Sequence, residues 1–492
     1  MQITYTSSLL ASSFGFSDIS SSLATVTMQG TLRLIFSARD GNLLSTLNLG
    51  AAPGASPQGD VVFAAQFGPD FAYQTTATLP RLFNMSAFNA PLVMNTVLAN
   101  GTPNWAQTVM SPQGFSITDA SAAQVLEFAS GDWLALAQRL SSGLTLHRLS
   151  DSGGLSAPIH LVDTPKTFLN GISDTATIAR GGDLLLLTLS AQESGISTHL
   201  FGADGAVEWI DSYGAQNGMG MSGPSMLQVV QIGGVDFAVV AATTSSSLTV
   251  LRINAMGVIF ETDHVIDTRD TRFANIAAFD GFVAQGRFFI VAGGTDSGLT
   301  LFELLPNGSL SHVETFVLEG GVGLSAITAI KAQVMGSQVA VFLVDSGADQ
   351  IFRYDLALGN LGGRIAVSGG VATGTGADER LLGSENADVN HAGGGADFLH
   401  DGAGADTLTG GAGEDVFIFD RDGSVDRITD FQDGVDRLDV SSWGRIYSAQ
   451  SLLITSTATG AEIAFGDERL IITSAAGGPL AASAFSDADF IF

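Results

Sequence analysis

The amino-acid sequence predicts an all-β protein built from two kinds of repeat. Over residues 1–370, short strand-like runs recur about every 51 residues, four to a unit, which is typical of a β-propeller. Between Gly374 and Phe419, a nine-residue repeat of glycine and aspartate follows, which is typical of a parallel β-roll. We therefore expect a propeller of about seven blades in residues 1–370, a β-roll in residues 371–420 and a β-rich region in residues 421–492.

The longer repeat is marked by one apolar residue near the start of the second strand of each unit. Successive markers are 51, 53, 51 and 51 residues apart, and they are Trp133, Leu184, Phe237, Phe288 and Val339. Turn sequences such as residues 203–205 (Ala-Asp-Gly) join the third and fourth strands. Extrapolation towards the N-terminus places two more units near residues 31 and 82, so that seven units nearly fill residues 1–370. A six-bladed ring, a β-solenoid and a tandem of sandwiches are the alternatives.

Composition limits the class of protein further. The 492 residues contain 45% hydrophobic side chains and no cysteine, and they carry a formal net charge of −29. Residues 371–492 hold 21 acidic and 6 basic side chains, so this quarter of the chain carries about −15. Such a surface repels nucleic acid and anionic membranes. We expect no nucleic-acid partner, no membrane-spanning segment and no disulfide framework.

The nine-residue repeat is clearest in residues 392–400, 401–409 and 410–418. Each line contains a glycine turn, one aspartate and a short strand whose central apolar residue points inward. Leu399, Leu408 and Phe417 take the inward position, whereas Asn390 takes it in the line before. We therefore expect the turn that contains Asn390 to be frayed or to act as a cap. A low-complexity linker is the alternative, but a linker has no reason to keep apolar residues in a fixed phase.

Aspartates and turn glycines in this pattern predict a calcium site. Calcium prefers an all-oxygen shell of carboxylates and backbone carbonyls, and glycine allows the positive φ angles and close backbone approach that such turns need. Turns two repeats apart should stack, which pairs Asp388 with Asp406 and Asp397 with Asp415, and Asp378 would complete a third site. The predicted metal ligands are Asp378, Gly383, Asp388, Gly393, Gly395, Asp397, Gly402, Gly404, Asp406, Gly411, Gly413 and Asp415.

These nonapeptides resemble the calcium-binding repeats of RTX (hemolysin-type) proteins. Residues 415–419, 426–439 and 485–492 resemble the C-terminal region of serralysin-type proteases and related type I secretion substrates. The resemblance implies a bacterial protein that leaves the cell unfolded, C-terminus first, through an ABC transporter and folds in extracellular calcium. The N-terminus lacks the basic and apolar regions of a classical signal peptide, which agrees with that route.

Protease chemistry is excluded from this resemblance, because none of the seven histidines is followed by glutamate and the zinc motif H-E-x-x-H is missing. No other catalytic motif is found, so we name no catalytic residue. Two functions remain for the predicted propeller. It is either an extracellular binding or surface-structural module for a glycan or a protein, which we favour, or a secreted hydrolase or lactonase. The hydrolase would need three or more convergent polar side chains at one mouth of the channel.

Overall fold

The computed structural model describes most of the chain. The described residues are 2–10, 19–28, 31–38, 43–49, 59–64, 71–74, 81–84, 92–96, 107–110, 117–139, 141–150, 152, 154–318, 326–346, 350–367 and 369–492. In these ranges every element is a β-strand or one turn of 3-10 helix. Their contacts divide the chain into two units, Met1–Phe282 with Phe288–Ala357, and Val283–Arg287 with Leu358–Phe492. The units divide between Ala357 and Leu358, earlier than the boundary at residue 370 that the sequence suggested.

In the first unit, seven four-stranded sheets are found among the described residues. Strand β1 (Gln2–Leu10) belongs to the last of them. The next two sheets contain β2 (Ile19–Met28), β3 (Thr31–Ala38), β4 (Leu43–Asn48) and β5 (Gly59–Ala64), then β6 (Phe71–Gln74), β7 (Arg81–Asn84), β8 (Val93–Thr96) and β9 (Gln107–Thr108). The third and fourth sheets along the chain contain β10 (Ala120–Leu126), β11 (Trp133–Gln138), β12 (Leu144–Arg148) and β13 (Ile159–Leu161), then β14 (Ile172–Arg180), β15 (Asp183–Ser190), β16 (Gly195–Phe201) and β17 (Val207–Gly214).

The remaining sheets of this unit follow the same order. They contain β18 (Pro224–Ile232), β19 (Val235–Ala242), β20 (Ser247–Ile253) and β21 (Ile259–Ile266), then β22 (Ala278–Ala284), β23 (Arg287–Gly293), β24 (Gly298–Leu304) and β25 (Leu310–Val317), and finally β26 (Ile327–Met335), β27 (Gln338–Asp345) and β28 (Gln350–Ala357). The second strands are almost wholly apolar and buried, because both faces of each sheet are covered. The prediction of an all-β chain with a propeller of about seven blades is confirmed.

The last sheet joins the two ends of this unit. β1 pairs antiparallel with β28, with Gln2 opposite Ala357 and Leu10 opposite Gln350, so that it completes the sheet of β26, β27 and β28. The first strands of neighbouring sheets also contact one another, β2 with β26 and β6, and β10 with β6 and β14. The period of the sequence did not reveal this closure, because β1 lies outside the four-strand unit.

Aspartate side chains connect neighbouring sheets. Asp174 on β14 accepts a hydrogen bond from the backbone N–H of Leu227 on β18, and Asp280 on β22 accepts one from Ala332 on β26, each at 2.8 Å. The fourth strands of neighbouring sheets are joined in the same way. Asp211 on β17 accepts a hydrogen bond from the backbone N–H of Ile259 on β21 at 2.9 Å, and Asp263 on β21 accepts one from that of Leu310 on β25 at 2.6 Å. Each contact satisfies a backbone donor that would otherwise be left at a sheet boundary.

The second unit is a β-roll followed by a hairpin region. One six-stranded parallel sheet has the order β29 (Leu361–Ala366), β31 (Asp378–Leu382), β33 (Phe398–His400), β35 (Val416–Ile418), β37 (Arg437–Asp439) and β41 (Phe490–Ile491). The facing seven-stranded sheet has the order β30 (Val371–Thr373), β32 (Val389–Gly394), β34 (Thr407–Ala412), β36 (Val425–Phe431), β40 (Glu468–Ser474), β39 (Gly460–Phe465) and β38 (Leu453–Ser456). Single 3-10 turns occur at Ala215–Asn217, Ser441–Trp443, Ala449–Ser451, Ala482–Ala484 and Asp487–Asp489.

The interior of the roll is formed by the inward residue of each nonapeptide. Leu399, Leu408 and Phe417 are fully buried, as the spacing predicted. Asn390 also lies in this row, in register with Ala372 and Leu408. Its side-chain oxygen and nitrogen are buried without a hydrogen-bond partner. The strand around Asn390 is nevertheless formed, at a cost to stability that buried unsatisfied polar groups always carry.

Candidate metal centre

Stacked glycine turns form the edges of the roll. Gly393, Gly395, Gly411 and Gly413 have φ between 101° and 140°, which is the left-handed region that favours glycine. A Cβ on Gly411 would lie 2.0 Å from the carbonyl oxygen of Gly393 in the turn 18 residues earlier. The other turn edge is built in the same way by Gly402 and Gly404. These turns therefore bring backbone carbonyls of one turn against the backbone of the next.

Gly383 differs from the other predicted ligand glycines. Its φ is not in the left-handed region, but a Cβ at this position would lie 1.6 Å from the carbonyl oxygen of Asp401. Glycine is required there because of close backbone approach alone. The turn that begins at Gly383 consequently has a different conformation from the turns that follow.

Carboxylates bridge turns that lie 18 residues apart. Asp406 Oδ1 accepts a hydrogen bond from the backbone N–H of Asp388 at 2.6 Å, and Asp415 Oδ1 accepts one from Asp397 at 3.0 Å. Asp397 Oδ1 in turn accepts from Glu379 at 2.7 Å. The structure thus brings together the two aspartate pairs that the spacing suggested, in two ladders on opposite edges of the roll.

Three of these carboxylates keep one buried oxygen without a hydrogen-bond donor. They are Asp397, Asp406 and Asp415, and in each the free atom is Oδ2. All three side chains are buried. A buried, unpaired carboxylate oxygen is costly unless a cation or a donor meets it. The free oxygens lie in the turns with the sequences AGGGAD, DGAGAD and GGAGED, and this donor set fits a calcium ion.

The flanking turns satisfy their own carboxylates. Asp388 accepts from the backbone N–H of Gly370 at 2.9 Å, and its second oxygen accepts from the N–H and the hydroxyl of Ser384 at 2.7 and 2.9 Å. Asp436 is satisfied by the N–H groups of Asp415 and Gln432. Asp388 therefore lies in the predicted pair with Asp406 but offers no free oxygen of its own.

The position of Asp378 depends on the register of the strands. Leu381 pairs with Leu399, which places Glu379, and not Asp378, in the position equivalent to Asp397. Asp378 Oδ1 accepts instead from the N–H of Ala396 at 2.9 Å. Glu379 reaches back to its own turn, where it accepts hydrogen bonds from the N–H and the hydroxyl of Thr375. This register explains why Asp378 precedes Asp388 by ten residues when the repeat requires nine.

Burial strongly affects the protonation of these side chains. Burial, and to a smaller extent neighbouring carboxylates, raises the pKa of Asp397 to about 7 and the pKa values of Asp406 and Asp415 to about 6. The pKa of Asp401 is raised to about 9, first by burial and then by Asp426 and Asp420. Protons and a metal ion therefore compete for the same oxygens.

Residues 391–423 match the RTX calcium-binding nonapeptide repeat family in four copies. These turns are RTX calcium-binding repeats. RTX repeats bind calcium, so the predicted cofactor is confirmed, and the match covers all three turns that hold a free carboxylate oxygen. The individual ligands named from the sequence remain a prediction.

Other comparisons concern the whole chain. No curated protein sequence matches it. A crystal structure of a protein from Lactobacillus plantarum is similar over 64% of this chain and 92% of its own, with a TM-score of 0.45 and 13% sequence identity. Among the described residues, no helix is long and apolar enough to cross a membrane.

Sequence reasoning missed the carboxylates that follow the RTX repeats. Asp426 Oδ1 accepts from the N–H of Asp406 at 3.0 Å, so the ladder continues past the last glycine turn. Asp426 follows Asp406 by 20 residues and Asp436 follows Asp415 by 21, because the intervening turns are longer. A search that allowed insertions in the nine-residue period could have found both. Asp401 takes the first position of its nonapeptide, where the repeat pattern has glycine, so the pattern could not predict a role for it.

The first unit contains a cleft between its third and fourth sheets along the chain, which contain β10–β13 and β14–β17. Its volume is about 410 Å³, and its lining includes His160, Lys166 and Trp209. Trp209 is 40% exposed, and the Lys166 ammonium lies 5.5 Å from the centre of its ring. Trp209 Nε1 donates to the hydroxyl of Ser212 at 3.0 Å, which fixes the ring orientation. An exposed aromatic ring beside polar groups can stack on an apolar face of a ligand.

Proposed function

We propose that this chain is an exported protein whose tail folds in extracellular calcium and whose propeller binds a glycan or a surface protein outside the cell. The observation that carries the calcium-dependent part is the set of three buried carboxylate oxygens, one each on Asp397, Asp406 and Asp415, that have no donor. Together with the carbonyls of the glycine turns, these oxygens would form the calcium shell. The turns of Asp378 and Asp388, which the sequence also predicted to hold ligands, would mainly close the N-terminal end of the roll through hydrogen bonds.

Calcium would control folding through mass action. An ion that binds only the folded roll stabilises it by about 2.7 kcal/mol when calcium is 100-fold above the dissociation constant. Without the ion, the −15 charge of residues 371–492 and the unpaired carboxylates oppose folding. Low calcium inside a cell would keep the tail open for transport, and high calcium outside would close it.

The export proposal extends to the C-terminal residues. Phe490 and Ile491 form β41, which pairs with Leu438 and Asp439 of β37. Phe490 is buried and its ring stacks on that of Phe492 at 5.4 Å between centres. A transporter could read this segment only before the tail folds, which agrees with export of an unfolded chain through a type I ABC transporter.

Export is tested by deleting residues 485–492 in a bacterium that carries a type I secretion system. We expect the shortened protein to accumulate inside the cell. The control is Leu480→Ala, which removes a buried side chain from the same core but leaves the last eight residues intact. Normal secretion of the deletion protein would refute this route, as would equal retention of the two variants.

The cleft beside Trp209 supports a small ligand for the propeller. A volume of about 410 Å³ is within the range of small-molecule sites and suits one or two sugar rings. Sugars commonly offer an apolar face to an aromatic ring, and hydroxyls to groups such as Lys166 and His160. We therefore favour a glycan over a protein as the ligand.

Binding to a glycan array in calcium tests this choice. Trp209→Ala should abolish the signal for any glycan that the native protein binds. Phe260→Ala is the matched control, because Phe260 is also 40% exposed and lies on β21, the fourth strand of the next sheet. Unchanged binding by Trp209→Ala, or an array without any signal for the native protein, would contradict a glycan site in this cleft.

A further inference from the structure

The junction of β13 with β17 differs from the two junctions that follow it in the propeller. In those junctions an aspartate joins the fourth strands, since Asp211 accepts from the backbone N–H of Ile259 and Asp263 accepts from that of Leu310. Between β13 and β17 the corresponding residue is His160. This junction is the one that contains the cleft of about 410 Å³.

The turn glycine before each fourth strand establishes that the three junctions are equivalent. At each junction, a Cβ added to this glycine would meet the side chain of the residue just before the position of the aspartate on the preceding sheet. The pairs are Gly205 with Ile159, Gly257 with Ile210 and Gly308 with Thr262. His160, one residue after Ile159, therefore takes the place of the aspartates. Val207, two residues after Gly205, takes the place of the N–H donors.

The histidine leaves a backbone donor without a carboxylate. Val207 lines the cleft, and no side chain among the described residues accepts a hydrogen bond from its N–H. An N–H group at the boundary of a sheet needs an acceptor, and in the two equivalent junctions that acceptor is a carboxylate. The junction therefore offers a carboxylate position that the protein itself does not fill.

The charged side chains of the cleft suit an anionic ligand. Its described lining includes Lys166 and His160 but no aspartate or glutamate. The Lys166 ammonium has no ion-pair partner in the described part of the chain, and it lies 5.5 Å from the centre of the Trp209 ring. The carboxylate three residues before Lys166, that of Asp163, already accepts from the N–H of Leu169. The ammonium is therefore left to attract an anion from solution.

A second cavity contacts the same strand and carries the opposite charge. It measures about 450 Å³, and its lining includes Asp183, Asp204 and Glu208. Val207 lines both cavities. An anionic ligand is repelled by the three carboxylates and attracted by the ammonium, so charge directs it to the cleft beside Trp209.

We propose that this cleft binds the carboxylate of an acidic sugar, a uronic-acid residue of a glycan. The carboxylate accepts from the N–H of Val207 and pairs with Lys166, while an apolar face of the sugar ring stacks on Trp209. A carboxylate suits this place better than a sulfate ester, because carboxylates fill the equivalent places at Asp211 and Asp263. This inference rests on the proposed glycan-binding function and names its ligand class.

The test is calorimetric titration of the full-length protein in calcium with tetrasaccharides of galacturonate, glucuronate and mannuronate. Their carboxyl-reduced forms and sulfated neutral tetrasaccharides are the comparison ligands. At least one uronate should bind about tenfold more tightly than its carboxyl-reduced form, because charged hydrogen bonds are lost on reduction. Lys166→Met should remove most of this preference. Arg269→Met is the matched control, since it removes an exposed positive charge from the equivalent loop between β21 and β22.

His160→Asp is the sharper variant, because it should restore the contact made by Asp211 and Asp263. The new carboxylate should accept from the N–H of Val207, abolish uronate binding and raise the melting temperature of the propeller by about 1–2 °C. Val162→Asp is its control, because it adds the same charge at an exposed lining residue. That variant should weaken uronate binding without raising the melting temperature.

Three results would overturn this inference. They are equal affinity for the uronates and their carboxyl-reduced forms, equal or tighter binding of the sulfated sugars, and uronate binding that neither Lys166→Met nor His160→Asp weakens. The last result would also exclude the cleft as the site of calcium-bridged binding to the acidic roll. Neutral sugars that bind the native protein but not Trp209→Ala would then still support the glycan site. A native protein that binds no sugar would overturn both proposals.

Discussion

The propeller and the roll contain the same kind of aspartate–backbone hydrogen bond, but the rest of the carboxylate is treated differently in the two units. In both, an aspartate accepts a hydrogen bond from a backbone N–H of the neighbouring repeat. In the propeller, both oxygens of the carboxylate are satisfied, as in Asp174, which accepts from Leu227 and from Thr175 at 2.8 Å each. In the RTX turns only one oxygen is satisfied, as in Asp415. The propeller carboxylate has a donor for each oxygen within the protein, whereas the carboxylate of the RTX turn has one oxygen that needs a cation.

This difference predicts that the stability of the roll depends on a bound ion and that the stability of the propeller does not. In the propeller, the aspartates that join neighbouring sheets have both carboxylate oxygens hydrogen-bonded within the protein, as in Asp174, Asp211 and Asp263. A turn of the roll buries one apolar side chain per nonapeptide and leaves a charged oxygen inside. We infer that the propeller is stable by itself and that the roll is stable only when its ligand is present.

Removal of calcium should have the largest effect. In EDTA we expect amide protons of residues 374–440 to exchange rapidly while those of the propeller sheets stay protected, because the ion stabilises only the roll. Hydrogen exchange read by mass spectrometry resolves the two units. Equal protection of the roll in EDTA and in calcium would remove the distinction between the units.

Substitution of single aspartates should then distinguish the RTX turns that keep a free carboxylate oxygen from the flanking turns, in which both oxygens are hydrogen-bonded. Asp406→Asn should weaken calcium binding by more than about tenfold, since even the loss of an outer-shell partner can cost that much. Asp388→Asn should change calcium affinity far less, because both of its oxygens are already hydrogen-bonded. Calorimetric titration of the two variants makes the comparison, and equal losses would show that the free oxygen is not what matters.

The propeller offers the opposite test. Asp174→Ala leaves the N–H groups of Leu227 and Thr175 without their acceptor and should cost about 1–3 kcal/mol of unfolding free energy. The loss should be the same in EDTA and in calcium. Chemical denaturation of the variant in both buffers checks this, and a calcium-dependent loss would mean that the two units are not independent in stability.

The smallest effect expected is that of pH on the calcium-free roll. Burial raises the pKa values of Asp415 and Asp397 in the folded roll to about 6 and about 7, above the ordinary value of 3.8. Groups with raised pKa values favour folding at low pH, so stability in EDTA should fall as pH rises from about 4 to about 7. In calcium the trend should reverse, because deprotonation frees the ligands. Fluorescence of Trp443, the one tryptophan of residues 358–492, reports both trends during unfolding.

Much of this architecture could be predicted from periodicity. The 51-residue step identified the second strands, as at Trp133 and Phe237, because every sheet repeats the same burial pattern. The nine-residue step identified the inward row and the stacked turns. Periodicity did not identify Glu379 as the residue equivalent to Asp397, because the repeat predicts an aspartate and Asp378 lies next to it. Only the pairing of Leu381 with Leu399 decides between the two residues.

The sequence by itself determined the class of both units, the calcium chemistry and the pairing of aspartates 18 residues apart, because local turn preferences and side-chain periods dictate them. Only the tertiary structure decided which carboxylates keep a free oxygen. That outcome depends on whether a neighbouring turn supplies a second donor, as Ser384 does for Asp388 and no group does for Asp406 among the described residues. It also decided that Asp401 meets Asp426, because a turn two residues longer must still stack in register with the strands below.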